Sequence, residues 1–161
     1  MKKPLRGLNS PVFLASFAVV FLVAFAGNLL VGNATQSQWY ESVKPSLTPP
    51  NYVFPIAWSI LFILIAFSLY FAWTSANAVE RKSVSLLFTA NFLLNIAWSG
   101  FYFTLRNPTL ALIDLIALWV SILALIKLLL PINKKSAYLL VPYLLWVSFA
   151  GVLNYLTIVG K

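Results

Sequence analysis

The side chains able to do chemistry in this chain are aromatic rings and carboxamides rather than acid–base pairs. Its 161 residues include six tryptophans and seven tyrosines, but no histidine and no cysteine. The commonest general base and metal ligand is therefore missing. Disulfides and thiolate metal sites are excluded, and neither a carboxylate pair nor a glycine-rich phosphate loop occurs. Hydrolytic, phosphoryl-transfer and metal chemistry are not expected, and no bound cofactor is expected. What the spacing offers instead is faces. At about 100° per residue, positions i, i+4, i+7 and i+11 share one side of a helix. Asn91, Asn95, Trp98 and Tyr102 fall on such a side; Tyr143, Trp146, Ala150 and Asn154 on a second; Phe54, Trp58, Phe62 and Ala66 on a third. Flat rings offer stacking area, and Asn and Tyr add a few directional hydrogen bonds. Such a lining suits a large, planar, largely apolar ligand.

A competing reading makes Asn91, Asn95 and Asn154 interhelical packing groups and the Trp and Tyr residues an interfacial belt. Belts account well for Trp39, Tyr40 and Trp73. They account less well for Trp58, Trp98 and Trp146, which lie roughly two turns or more inside their segments. The pattern favours a pocket.

The elements that must position these faces are membrane helices. The chain is 61% hydrophobic and only 9% charged, with a mean hydropathy of +0.91. A soluble domain this small could not hide so much apolar surface, and lipid removes that constraint. A span needs about 20 apolar residues, and five segments qualify: about 11–32, 51–76, 83–105, 109–130 and 136–159. They are long, unbroken and do not alternate, so the expected fold is an all-α membrane protein, one domain over 1–161, a bundle of five transmembrane helices. Pro11, Pro49, Pro50, Pro108 and Pro131 are expected where spans start or stop. Pro55 and Pro142 fall in first or second turns, where proline is tolerated. Lys2, Lys3 and Arg6 ahead of an apolar run ending in Ala24-Phe25-Ala26 resemble a cleaved signal, but the run continues to Val31, which favours a retained span. In that span Ser16, Val20, Val23 and Gly27 make a small-residue stripe for close helix packing.

Charge orients the bundle. Lys2, Lys3, Arg6, Arg81, Lys82, Lys134 and Lys135 fall on one side, and Lys44, Arg106 and Lys161 on the other; Lys127 can snorkel toward the richer side. The amino end is expected in the cytoplasm and the carboxyl end outside, in a prokaryotic cell membrane. The net charge of +8 is thus a topology signal. Nucleic-acid binding, which wants a continuous basic stripe, is not expected. Loops two to four are short, so consecutive helices are expected as antiparallel neighbours. The first loop, NATQSQWYESVKPSLTPP, is long, and long loops on compact bundles often act as lids. Asp114 is the one acid inside a span: either a functional carboxyl or an interfacial group, ion-paired with Arg106 or protonated. Leu153-Asn154-Tyr155 with Lys161 formally fits a loose cholesterol-contact pattern that apolar helix ends often match.

Taken in order, Trp39-Tyr40, Lys44-Pro45, Pro49-Pro50 and Trp58, then Leu94-Asn95, Trp98-Ser99 and Tyr102-Phe103, then Pro142-Tyr143-Leu144, Trp146, Phe149-Ala150 and Leu153-Asn154, resemble the TspO/MBR family, the tryptophan-rich sensory or translocator proteins. The resemblance spans essentially the whole chain. It implies a five-helix bundle, commonly a homodimer among membrane lipids, whose first loop closes over a pocket for porphyrins, haem-type tetrapyrroles and benzodiazepine-site ligands. Carried over by motif, the ligand-binding residues are Trp39, Trp58, Asn95, Trp98, Tyr143, Trp146, Ala150 and Asn154. Light-dependent porphyrin degradation in some members implies catalytic roles for Trp58 and Trp146. Asn91 and Phe62 stand where the family often has Gln and Tyr, and a longer basic carboxyl tail is missing. These departures bear on sterol or other lipid handling more than on a planar-ligand pocket.

Overall fold

The computed structural model describes residues 8–160. Lys2, Lys3, Arg6 and Lys161, used above for orientation, lie outside them. Among the described residues five helical segments are long and apolar enough to cross a bilayer, and the chain is an all-α, multi-pass integral membrane protein. Helix α1 is Ser10–Val31. A 3-10 turn, Ala34–Gln36, and a short helix α2, Gln38–Val43, occupy the first loop. Helix α3 is Val53–Ser75, and α4 is Ala78–Ser99, running on as a π turn over Gly100–Thr104. Helix α5 is Pro108–Ile132, and α6 (Lys134–Leu139) with α7 (Val141–Val159) makes the fifth span.

The helix ends follow local chemistry, and three differ from expectation. Helix α1 closes at Gly32, whose φ of +48° suits a residue without a side chain. The third span begins at Ala78, not Ser83. Asn77 Oδ1 accepts from the Val79 and Glu80 N–H groups at 3.0 Å, and Glu80 Oε2 accepts from the Asn77 N–H at 2.8 Å. This capping box turns the charged Glu80-Arg81-Lys82 stretch, which reads as loop, into a first turn. Pro131 does not stop the fourth span but sits in the last turn of α5. Conversely, the fifth span is interrupted at Leu140. Pro142 has no N–H for the Tyr138 carbonyl, and its ring crowds that carbonyl.

Packing arranges the spans in the closed order α1, α3, α6/α7, α5, α4. Most sequence neighbours are spatial neighbours, as expected, but α3 and α4 are not. They meet beside the Ala76-Asn77 joint, where Arg81 Nε of α4 donates to the Trp73 carbonyl of α3 at 3.2 Å and its guanidinium lies 5.5 Å from the Trp73 ring centre, but otherwise pack little against each other, and α1 packs against both. The stripe Ser16, Val20, Val23 and Gly27 is the buried face of α1. A side chain at Gly27 would begin 3.6 Å from Ser99 Oγ of α4. The core is continuous through Ile65, Phe88, Ile122, Leu125 and Val147.

Attachment of α3 is uneven along its length. Near its carboxyl end Ser68 Oγ and Ser136 Oγ donate to each other's backbone carbonyls at 2.9 and 2.6 Å. There too the Tyr70 hydroxyl accepts from the Asn9 N–H at 3.1 Å, and Phe13 and Phe17 pack on Phe67 at 6.0 and 5.2 Å. Toward its amino end, the ring contacts with α7 are Phe54 on Trp146 and Trp58 on Tyr143, at 6.0 and 6.1 Å. That half of α3 faces a cavity.

Candidate functional site

The cavity, about 450 Å³, lies beneath the first loop. Helix α1 contributes Ala24, Gly27, Asn28 and Val31; α3 contributes Phe54, Pro55, Trp58, Ser59 and Phe62. The end of α4 and its π turn supply Asn95, Trp98, Ser99, Tyr102 and Phe103, and α7 supplies Ala150, Leu153 and Asn154. The loop covers them with Thr35, Tyr40, Pro45 and Thr48. Helix α1 is therefore a wall as well as scaffold, which its small-residue stripe alone does not reveal. Two stacked pairs form the aromatic surface: Trp58 on Phe62 and Trp98 on Tyr102, each with centroids 5.3 Å apart.

Of the residues carried over by motif, Trp58, Asn95, Trp98, Ala150 and Asn154 line the cavity, whereas Trp39, Tyr143 and Trp146 are not among its lining residues. Trp39 lies edge-on to Tyr102 at 5.9 Å. Trp146 lies against Phe54 and Phe149, at 6.0 and 5.8 Å. Tyr143, 1% exposed, accepts from Asn95 Nδ2 at 3.0 Å and donates to Asn91 Oδ1 at 3.4 Å. Asn91 Nδ2 in turn donates to Ser121 Oγ at 2.8 Å. On the other side, Trp98 Nε1 donates to Asn154 Oδ1 at 3.2 Å, and Asn154 Nδ2 donates to the Pro108 carbonyl at 2.7 Å. The amides thus tie α4, α5 and α7 together, as the packing reading holds, while Asn95 and Asn154 also face the cavity. In a membrane such bonds contribute on the order of 1 kcal/mol each.

The loop is folded, not slack. Ser37 caps α2, its Oγ accepting from the Tyr40 N–H at 3.2 Å, and the Lys44–Glu41 ion pair closes at 2.6 Å. Tyr40 is buried, packed against Phe103 at 6.0 Å; it is cavity wall, not interfacial belt. The signals that could have found it are Ser37 as helix cap with Glu41 in the first turn. Burial, then neighbouring Tyr102 and Glu41, push the Tyr40 hydroxyl up to about 12. Arg106, at φ +50°, sets its guanidinium 5.8 Å from the centre of the Trp39 ring. It makes no ion pair with Asp114 among the described residues; Asp114 is buried, and its Oδ2 has no partner there.

Every lining side chain is uncharged, and no group of three or more metal-ligating side chains exists among the described residues. Fold and site define a polytopic membrane protein built around a neutral, aromatic cavity under a folded loop. Comparison with known proteins narrows this. Residues 16–159 match the TspO/MBR family. The chain is 36% identical over 149 residues to the Tryptophan-rich protein TspO of Archaeoglobus fulgidus, covering 92% of this chain and 95% of that one. It is 33% identical over 146 residues to Protein CrtK of Rhodobacter capsulatus, with 88% and 90% covered. To the Translocator protein of Homo sapiens it is 31% identical over 121 residues, with 73% and 72% covered. The chain belongs to the TspO/MBR family.

Proposed function

We propose that the protein is a membrane receptor for tetrapyrroles, taking a porphyrin into the cavity beneath the first loop to sense, sequester or pass it on. The observation that carries this reading is the wall itself: two stacked aromatic pairs, amides at the margin and no charge. Its volume falls in the roughly 300–1,000 Å³ range of small-molecule sites, and the family resemblance implies the ligand class. The same reading puts the amino end in the cytoplasm and the protein in a homodimer. Protoporphyrin IX titrated into purified protein in the dark should quench tryptophan fluorescence to saturation. Trp58→Leu, which removes a stacking surface, should weaken binding at least about tenfold. Absence of saturable quenching in the wild type would overturn the proposal.

A second reading, light-driven porphyrin degradation, is favoured by one feature. The Trp58 ring is on the wall, and its indole N–H makes no hydrogen bond among the described residues. An indole against an excited porphyrin can donate an electron. Trp146, the other implicated tryptophan, stands behind Phe54. Illumination of the complex in air should then give a product that Trp58→Phe abolishes while binding persists. Binding without product would eliminate this reading and leave the receptor.

A further inference from the structure

The cavity wall has two ends of different chemistry. The end between α3 and α7 is aromatic, with Phe54, Trp58 and Phe62 on the wall. The loop end carries hydroxyls from Tyr40 and Thr48. Lys44, already paired with Glu41, precedes the wall residue Pro45, so the unpaired cation at this end, among the described residues, is Arg106, which covers Trp39 behind Tyr102. Tyr40 is 5% exposed, and its hydroxyl makes no hydrogen bond among the described residues. Thr48 Oγ1, also on this wall, is buried with no partner among the described residues; a polar group so placed is costly, and the great majority find a partner.

An ionised carboxylate cannot rest against the aromatic end, where no cation or free donor cluster would replace its water. It can rest at the loop end. We infer that Tyr40 is a specificity-determining residue of this cavity, donating its hydroxyl to the carboxylate edge of a planar ligand whose ring system lies against Trp58 and Phe62. The inference rests on the tetrapyrrole reading above and adds to it an orientation and a preference: amphipathic, acid-bearing macrocycles over their acid-free analogues. Because burial holds the Tyr40 hydroxyl near 12, it stays a donor throughout the physiological range. Any loss of the preference on acidification should follow the ligand's own carboxyls.

Three probes test this in the full-length protein in detergent or nanodiscs: protoporphyrin IX, its dimethyl ester, and etioporphyrin, which has alkyl groups only. The wild type should prefer the free acid to the ester by about tenfold or more, the worth of a hydrogen bond to a charged group. Tyr40→Phe keeps the ring packing on Phe103 and removes only the donor. It should weaken protoporphyrin IX by roughly 10- to 100-fold and leave etioporphyrin unchanged. Equal affinity of the wild type for acid and ester overturns the inference, as does an equal or absent effect of Tyr40→Phe on the two porphyrins. The receptor proposal survives either result. If the wild type binds none of the three, both fail.

Discussion

The polar residues of this bundle are used twice, and Tyr143 shows how. Its hydroxyl sits between two asparagines of α4, accepting from Asn95 and donating to Asn91, so it fixes the amide that faces the cavity. Tyr143→Phe leaves Asn95 Nδ2 without its partner in a buried site. The expected outcome is a loss of about 1–2 kcal/mol in stability, read by thermal unfolding in detergent, and weaker porphyrin binding in the same samples. Unchanged melting and unchanged affinity together would show that the bond holds nothing in place. At this scale much was legible. The spacing of Asn91, Asn95, Trp98 and Tyr102 puts them on one face, and Asn91, Asn95 and Tyr102 are buried there. What periodicity could not distinguish is the wall from the layer behind it: Tyr143 and Trp146 share a face with Ala150 and Asn154, yet only the latter two line the cavity. A helical stripe several turns long crosses more than one neighbour, and the depth of each contact is set by the partner helix.

Among the elements, α5 packs tightly on α7 at Gly151, where a side chain would begin 3.1 Å from Leu115 Cδ2. Neither residue lines the cavity. Gly151→Val should force the two helices apart and cost about 1–3 kcal/mol, seen as a lowered melting temperature. Gly151→Ala, which needs Leu115 to yield only slightly, should cost less; equal melting for wild type and the valine variant would refute the close packing. The existence of five spans is written in the hydropathy, since each is long and nearly free of charge. Their ends are less visible because they depend on side-chain capping and on carbonyl crowding. Asn77 and Glu80 extend α4 backward through three charged residues, and Pro142 divides a span that composition presents as continuous. The π turn over Gly100–Thr104, where the Leu105 N–H reaches back to the Gly100 carbonyl at 2.8 Å, leaves no compositional mark. Yet it carries Tyr102 and Phe103 to the cavity, in keeping with the tendency of such turns to occur at functional sites.

For the whole molecule, the question is which side of the membrane the loop faces. Arg81, Lys82, Lys134 and Lys135 gather at the end opposite the loop, and the orientation proposed above, with the amino end in the cytoplasm, would put the cavity in the outer half of the bilayer. The chain contains no cysteine, so single substitutions report without background. In intact cells a membrane-impermeant maleimide should label Ser42→Cys in α2 and spare Ser83→Cys near the start of α4. The reverse pattern would invert the orientation. The circular order of the helices was not legible at all. Short loops say which helices are joined, and α3 and α4, joined by two residues, still part company.

That parting has a mechanical meaning. The hydrogen bonds and ring contacts that join α3 to α1 and α6 lie in its carboxyl-terminal half, so the other half is a beam clamped at one end, propped by ring contacts on α7 and lying over the cavity. On the receptor proposal, a guest that fills this space would act as a second strut, bracing that half of α3 from beneath.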